Sequence, residues 1–296
     1  MTSCIARTPA KLNLGLEILG RREDGFHEIR TVMQTVSIYD HLTFTLAQAH
    51  VVELSCSMPA LATEQNLACR AATMVRERYE VVAGAHLQLV KGIPIAAGLG
   101  GASSDAAATL RGTSALWSLS CTDADPRELA SRLGSDVPFF LTGGTMLAEG
   151  RGERLTPLPP LAGVWFVVAV PRIELPNKTP RMYELLQSHD FTDGSTISAL
   201  VDAMRARKPI EWDQITNRFE RVSTQLVPEI EPLRHALQRA GAPFVSMTGA
   251  GPGQFTATDD PERADAIHAK LLRDIGPRAE LFLCQAIPAV PSVDMV

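Results

Sequence analysis

The apolar and polar positions of this chain open with a strict alternation. Residues 10–18 put Leu12, Leu14, Leu16 and Ile18 at every second place, with Lys11, Asn13, Gly15 and Glu17 between them. That is the period of a β-strand and predicts one apolar and one polar face. A polar turn follows over 20–25, closed by an Asp-Gly pair that favours a tight reversal, with Phe26 and His27 at its exit. Residues 29–33 and 42–46 read as further strands, a helix opens at 64–67 and runs to about 79, and 86–90 is a short alternating strand. Residues 94–110, PIAAGLGGASSDAAATL, then set a glycine cluster directly ahead of an alanine-rich segment suited to a helix.

Further along, Asp125 as cap, Pro126 at the first position, Glu128 and a terminating Gly134 predict a helix with Leu129 and Leu133 on its buried stripe. The segment 155–163 carries Pro157, Pro159 and Pro160, and we set a domain division there, between 1–156 and 157–296. An apolar strand (164–170), a polar loop (187–195) and a helix (231–240) bounded by Pro232 and Gly241 come next. A strand over 244–247 leads into a second glycine-rich turn, TGAGPG at 248–253. The last helix, 261–275, is capped by Asp260 and lines up Ala264, Ile267, Leu271 and Ile275, and a strand at 281–284 closes the chain. Mixed elements without a regular βαβ rhythm predict an α+β fold in both parts.

Composition narrows the function. The 296 residues carry a formal net charge of -5, so there is no broad basic field to hold nucleic acid or an anionic membrane. An anionic substrate must then be met by local donors. The five cysteines are scattered without a C-x-x-C pair, which argues against a disulfide framework or zinc site and suits a reducing, cytoplasmic setting. The longest apolar run, 164–170, falls far short of the roughly 20 residues of a spanning helix, and no secretory leader is apparent.

The glycine cluster suggests chemistry. A strand, a glycine loop and a helix start form an anion cradle, because glycines admit a phosphate close to the backbone and the first helical N–H groups point at it. No lysine follows the glycines as a Walker loop requires, and Ser103 stands where a dinucleotide loop has its third glycine. A tight turn that binds nothing is the alternative; the Ser103–Ser104 pair favours phosphate by adding two hydroxyls. Lys11 and Asn13 are either solvated outward positions or a polar pair facing a site. Phe26 and His27 are either a packed aromatic and a turn histidine, or a stacking ring beside a directional hydrogen-bonding group. Asp136 either caps the next segment or sits at an element junction as a catalytic carboxylate. A phosphate cradle, a lysine and an aspartate are the parts of a phosphoryl-transfer site: the carboxylate accepts the hydroxyl proton and the lysine keeps it ionised.

Three stretches in order, residues 9–14 (PAKLNL), 94–107 and 248–251 (TGAG), resemble the three motifs of the GHMP small-molecule kinases. Residues 24–27 (DGFH) and 133–139 (LGSDVPF) resemble the branch that acts on a methylerythritol carrying a cytidine diphosphate, in the non-mevalonate route to isoprenoids. The resemblance implies a ribosomal-S5-like N-terminal domain joined to a ferredoxin-like C-terminal domain, with the site in the cleft. It implies ATP, with Mg2+, as phosphoryl donor and the substrate's C2 hydroxyl as acceptor, with Asp136 as base, Lys11 beside it and Asn13 orienting the substrate. The cytosine would lie between Phe26 and Tyr183, with His27 at its polar edge and Thr179 nearby. Asn66 and Lys91 would lie near the adenine, and Pro94, Gly98, Leu99, Gly100, Gly101, Ala102, Ser103 and Ser104 would wrap the phosphates, Ser104 being also a candidate metal ligand. Two departures stand out: tyrosine is usual at Phe26, and Ala102 replaces a glycine. The alternatives are a relative acting on homoserine, mevalonate or a sugar, or a binding module without turnover.

Overall fold

The structure, a computed structural model, describes residues 3–48, 50–120, 122, 124–173 and 178–296; Cys121 and Asn177 fall outside them. The first sheet is built on two long strands, β1 (Ser3–Arg21) and β2 (His27–Ala47), joined by the 22–26 turn. The sequence suggests two separate strands over 29–46; they are one, because the intervening residues pair along β1 and register shifts absorb the curvature. β3 (Val52–Cys56) and β4 (Gly84–Val90) run parallel, joined through α1 (Leu67–Arg78). β4 and β5 (Thr145–Gly150) both pair with β2, at its two ends, and β6 (Arg154–Pro157) pairs with β5.

Helices α2 (Gly101–Leu116) and α3 (Ala124–Leu133) cover this sheet over a core that includes Met33, Ala106, Leu110, Leu129 and Phe139. α3 begins one residue before Asp125, so that carboxylate is not the cap residue; it lies in the first turn and accepts from the Thr122 N–H (3.1 Å) and hydroxyl (2.7 Å).

Beyond β6 the chain crosses to a second, antiparallel sheet containing β7 (Trp165–Pro171). Three helices follow: α4 (Lys178–Glu184), α5 (Ser195–Arg205) and α6 (Glu220–Leu226). After α7 (Ile230–Arg239) come β8 (Ser246–Met247), β9 (Gln254–Thr258), α8 (Pro261–Ile275) and β10 (Ala279–Gln285). The sheet order is β10-β7-β9-β8. The apolar run of β7 follows from burial on both faces. Phe166, Val168 and Val170 pack toward Leu12, Leu14, Val32 and Val36 of the first sheet, while Val167 and Ala169 pack toward α7 and α8. Asp260 caps α8 by accepting from the N–H groups of Glu262 and Arg263, a contact worth about 1 kcal/mol. The chain then returns to the first sheet as β11 (Val293–Met295), beside β1. The architecture is α+β, and no described helix is long and apolar enough to cross a membrane.

One expectation about β1 is overturned. Leu12 and Leu14 enter the core between the sheets, but Leu16 and Ile18 join a different cluster with Met182, Phe219 and Val222. The register passes from Asn13↔Met33 to Leu16↔Thr31, so β1 carries one extra residue there. An inserted residue reverses the side-chain alternation beyond it. Leu16 therefore shares a cavity wall with Lys11 and Asn13.

Candidate active site

The glycine loop lies between two cavities. The smaller, about 350 Å³, opens between the starts of α1 and α2 and the end of β4. Asn66, Lys91, Pro94, Gly98, Leu99, Gly100, Gly101, Ala102 and Ser103 all line it. Ser104 does not: it is buried and its hydroxyl has no hydrogen-bond partner. Gly98 and Gly100 take left-handed φ values of +84° and +73°, and Gly100 begins α2 without any side-chain cap. The first amides of α2 thus have no side-chain cap, at the positive end of the helix dipole. The loop is tied from two sides. The Lys11 N–H donates to the Leu99 carbonyl (2.9 Å), and the Gly253 N–H donates to that of Ala97 (3.1 Å).

The residues expected beside an adenine stand in this wall with their polar ends already engaged. Asn66 caps α1, accepting from the Ala68 N–H (2.9 Å) and donating to the Leu61 carbonyl (3.0 Å). The Lys91 ammonium is held by the buried carboxylates of Asp40 and Asp105, the latter at 2.9 Å. Asp40 also accepts from the N–H groups of Gly92 (2.6 Å) and Ile93 (2.7 Å), so the triad fixes the entry to the loop. Burial holds Asp105 above the usual carboxylate range, with Lys91 opposing. With two buried carboxylates on one ammonium, Lys91 acts as an internal tie more than as a nucleobase reader.

The larger cavity, about 1000 Å³, is lined by Lys11, Asn13, Phe26, His27, Asp136, Thr179 and Tyr183, which come from distant parts of the sequence. Lys11 and Asn13 are 4% and 1% exposed, which excludes the reading of both as solvated positions. The Lys11 ammonium lies 3.7 Å from Asp136 Oδ2 and donates to Asn13 Oδ1. Burial pulls the Lys11 pKa down and the Asp136 carboxylate counteracts it. Asp136 sits between α3 and the 3-10 turn Pro138–Leu141; that turn has no side-chain cap, so the capping role is not taken.

The aromatic wall differs from expectation. His27, not Phe26, lies against Tyr183, with centroids 4.9 Å apart and planes 28° apart. Phe191 meets His27 edge-on and Phe219 meets Tyr183 edge-on. Phe26 is 51% exposed, and the Arg151 guanidinium sits 4.7 Å from its ring centroid. Burial lowers the His27 pKa, and Arg21 lowers it further; both favour the neutral ring, which has one donor and one acceptor nitrogen. Burial, followed by the Asp136 charge, pushes the Tyr183 hydroxyl up to about 12. Arg21, Arg151, Phe191 and Phe219 also line this cavity, and the sequence reading does not single them out. The Gly150-Arg151-Gly152 turn is a local signal for a presented cation; Phe191 and Phe219 carry none, since they reach the wall only through the packing of α4 to α6.

Two family models match the chain: GHMP kinases N terminal domain over residues 66–144 and GHMP kinases C terminal over 194–277. A 4-diphosphocytidyl-2-C-methyl-D-erythritol kinase of Dehalococcoides mccartyi is 39% identical over 264 residues, 89% of this chain and 92% of the relative. The enzyme of that name from Symbiobacterium thermophilum is 41% identical over 257 residues, 86% of this chain and 90% of the relative. A crystal structure of a 4-(cytidine 5'-diphospho)-2C-methyl-D-erythritol kinase superposes with a TM-score of 0.80 at 32% identity, covering 96% of this chain and all of the other.

Proposed function

Because this chain belongs to the 4-diphosphocytidyl-2-C-methyl-D-erythritol kinases of the GHMP family, ATP-dependent small-molecule kinases, we propose that it phosphorylates the C2 hydroxyl of that cytidyl alcohol with Asp136 as base. The observation that carries the reading is the junction of the two cavities. Gly98 and Gly100 line both, and the Lys11–Asp136 pair lines the larger one. A nucleotide in the smaller cavity would present its γ-phosphate across the loop to a hydroxyl held in the larger.

In the reaction we propose, the substrate oxygen attacks the γ-phosphorus and the bond to the β–γ bridging oxygen breaks, releasing ADP. The hydroxyl proton passes to Asp136. The Lys11 ammonium, 3.7 Å from that carboxylate, faces the charge that develops on the transferring group. Phosphoryl transfer asks little covalent work of the protein, so positioning by Lys11, Asn13 and the α2 amides is the main contribution. ATP would arrive with Mg2+. Among the described residues no three histidine, cysteine or carboxylate side chains gather to hold a metal. Phosphate oxygens and water would carry the ion; Ser104, next to the lining residue Ser103 and with an unpartnered buried hydroxyl, is the candidate protein oxygen if its side chain turns to the cavity.

For the cytidyl end, we assign Phe26, His27, Thr179 and Tyr183 to the nucleobase and Arg151 to the anionic linker. The wall would bind a base on Phe26, with neutral His27 offering its directional donor and acceptor. We also keep the division near 157 as the working boundary between an N-terminal nucleotide domain and a C-terminal domain. A cytoplasmic setting goes with this assignment.

The test is ATP consumption with the cytidyl methylerythritol substrate beside mevalonate, homoserine and galactose. Turnover confined to the cytidyl substrate is expected; equal turnover of mevalonate, or none of any, would overturn the assignment. Phe26→Ala is expected to weaken the cytidyl substrate by ~1–3 kcal/mol, on the scale of base–aromatic stacking, and to leave ATP affinity near normal. Titration with cytidine diphosphate and with ATP separates the two effects.

A further inference from the structure

Behind Lys11 and Asp136 lies a buried polar relay with a residue that lines neither cavity. Thr31, on β2, is fully buried. Its hydroxyl donates to the Gly15 carbonyl at 2.6 Å and accepts from Asn13 Nδ2 at 2.9 Å. Asn13 Oδ1 in turn accepts from the Lys11 ammonium, which faces Asp136.

Hydrogen-bond arithmetic makes the chain directional. A threonine hydroxyl has one proton, and here the Gly15 carbonyl takes it. Only lone pairs remain toward Asn13, so the amide must turn its NH2 to Thr31 and its oxygen to Lys11. The reverse orientation would set an NH2 against a buried ammonium and leave a buried acceptor unpaired. Gly15 is delivered to this position by the extra residue in β1. Its φ is +82°, and a Cβ there would lie 2.8 Å from Ile197 Cδ1. The left-handed conformation is what calls for glycine, since the Ile197 methyl could shift aside. The bulge that reverses the strand's faces thus also supplies the carbonyl that polarises the relay.

We propose that Thr31 is a positioning residue for phosphoryl transfer, setting the Asn13 amide so that the Lys11 ammonium is held toward Asp136 and the transferring phosphate. The proposal rests on the phosphoryl-transfer reading of this site. Its substance is the Gly15–Thr31–Asn13–Lys11 sequence of contacts.

The experiment compares Thr31→Val, which keeps shape and removes the hydroxyl, with Thr31→Ser, which keeps the hydroxyl. Thr31→Val is expected to lower kcat by about ten- to a hundred-fold with the KM for ATP little changed, as for a misplaced catalytic group. Thr31→Ser is expected to restore most of kcat. Both proteins are first checked for folding by thermal melting. In an Asn13→Ala background, which already cuts the relay, Thr31→Val should cost little more, because the two act in series. An unchanged kcat in Thr31→Val, equal losses in Val and Ser, or full additivity with Asn13→Ala would overturn the positioning role. Should Thr31→Val not fold, the Thr31→Ser rate decides: a normal kcat is expected, and a large loss with a normal melt overturns the proposal. Absence of kinase activity in the wild-type protein would instead refute the function itself.

Discussion

Asp136→Asn is expected to lower kcat by about two to four orders of magnitude, the usual span for loss of a general base, while ATP binds almost as before. Asparagine keeps the volume of the side chain and the loop around it, and residue 136 is not used as a helix cap. What disappears is the acceptor for the hydroxyl proton and the charge 3.7 Å from Lys11. The Lys11 pKa, already lowered by burial, loses the influence that opposes that fall. Steady-state kinetics and calorimetric ATP titration on the same sample give the check. A kcat within a few-fold of wild type would remove Asp136 as the base and return it to a structural role.

The second large effect is expected at Gly100. Gly100→Leu should abolish ATP binding detectable by direct titration, and kcat with it. The residue lies at the shared wall of the two cavities in a left-handed conformation. A Cβ there would come within 2.8 Å of the Phe140 ring and 3.0 Å of Lys11 Cγ, so any side chain is strained and a long one has only the cavities to enter. Since those contacts are also local packing, the melting temperature is measured alongside. Normal ATP affinity in a folded Gly100→Leu protein would show that the phosphates lie elsewhere.

The nearest rival to this reading is a kinase of the same fold acting on a smaller alcohol. Relatives at 39% and 41% identity over most of their length carry the cytidyl-substrate name. A large cavity with an aromatic wall and two flanking arginines, Arg21 and Arg151, also suits a nucleotide-bearing substrate better than mevalonate or homoserine.

Elements marked by local chemistry are legible in the sequence. α8 begins and ends where Asp260 and the apolar stripe over 264–275 put it, because a cap and a 3.6-residue period are both written in neighbouring residues. The glycine loop is legible for the same reason: positive φ and an uncapped helix start need glycine at particular places. α5 is not legible. It starts after a glycine rather than a strong cap residue, and the carboxylate of Glu17, 180 positions away, accepts from its Ile197 N–H at 2.8 Å.

The same division applies to the site. Residue types and local spacing by themselves determined an α+β fold and marked a glycine loop at a helix start and candidate groups at positions 11, 26, 27 and 136. Which of those groups meet, and which turn away, was decided only in three dimensions. A single extra residue in β1 moves Leu16 to the side of Lys11, two carboxylates claim the Lys91 ammonium, and His27 takes the face of Tyr183. These outcomes depend on register and on contacts between residues far apart in the chain, and such contacts leave no periodic trace in the residues beside them.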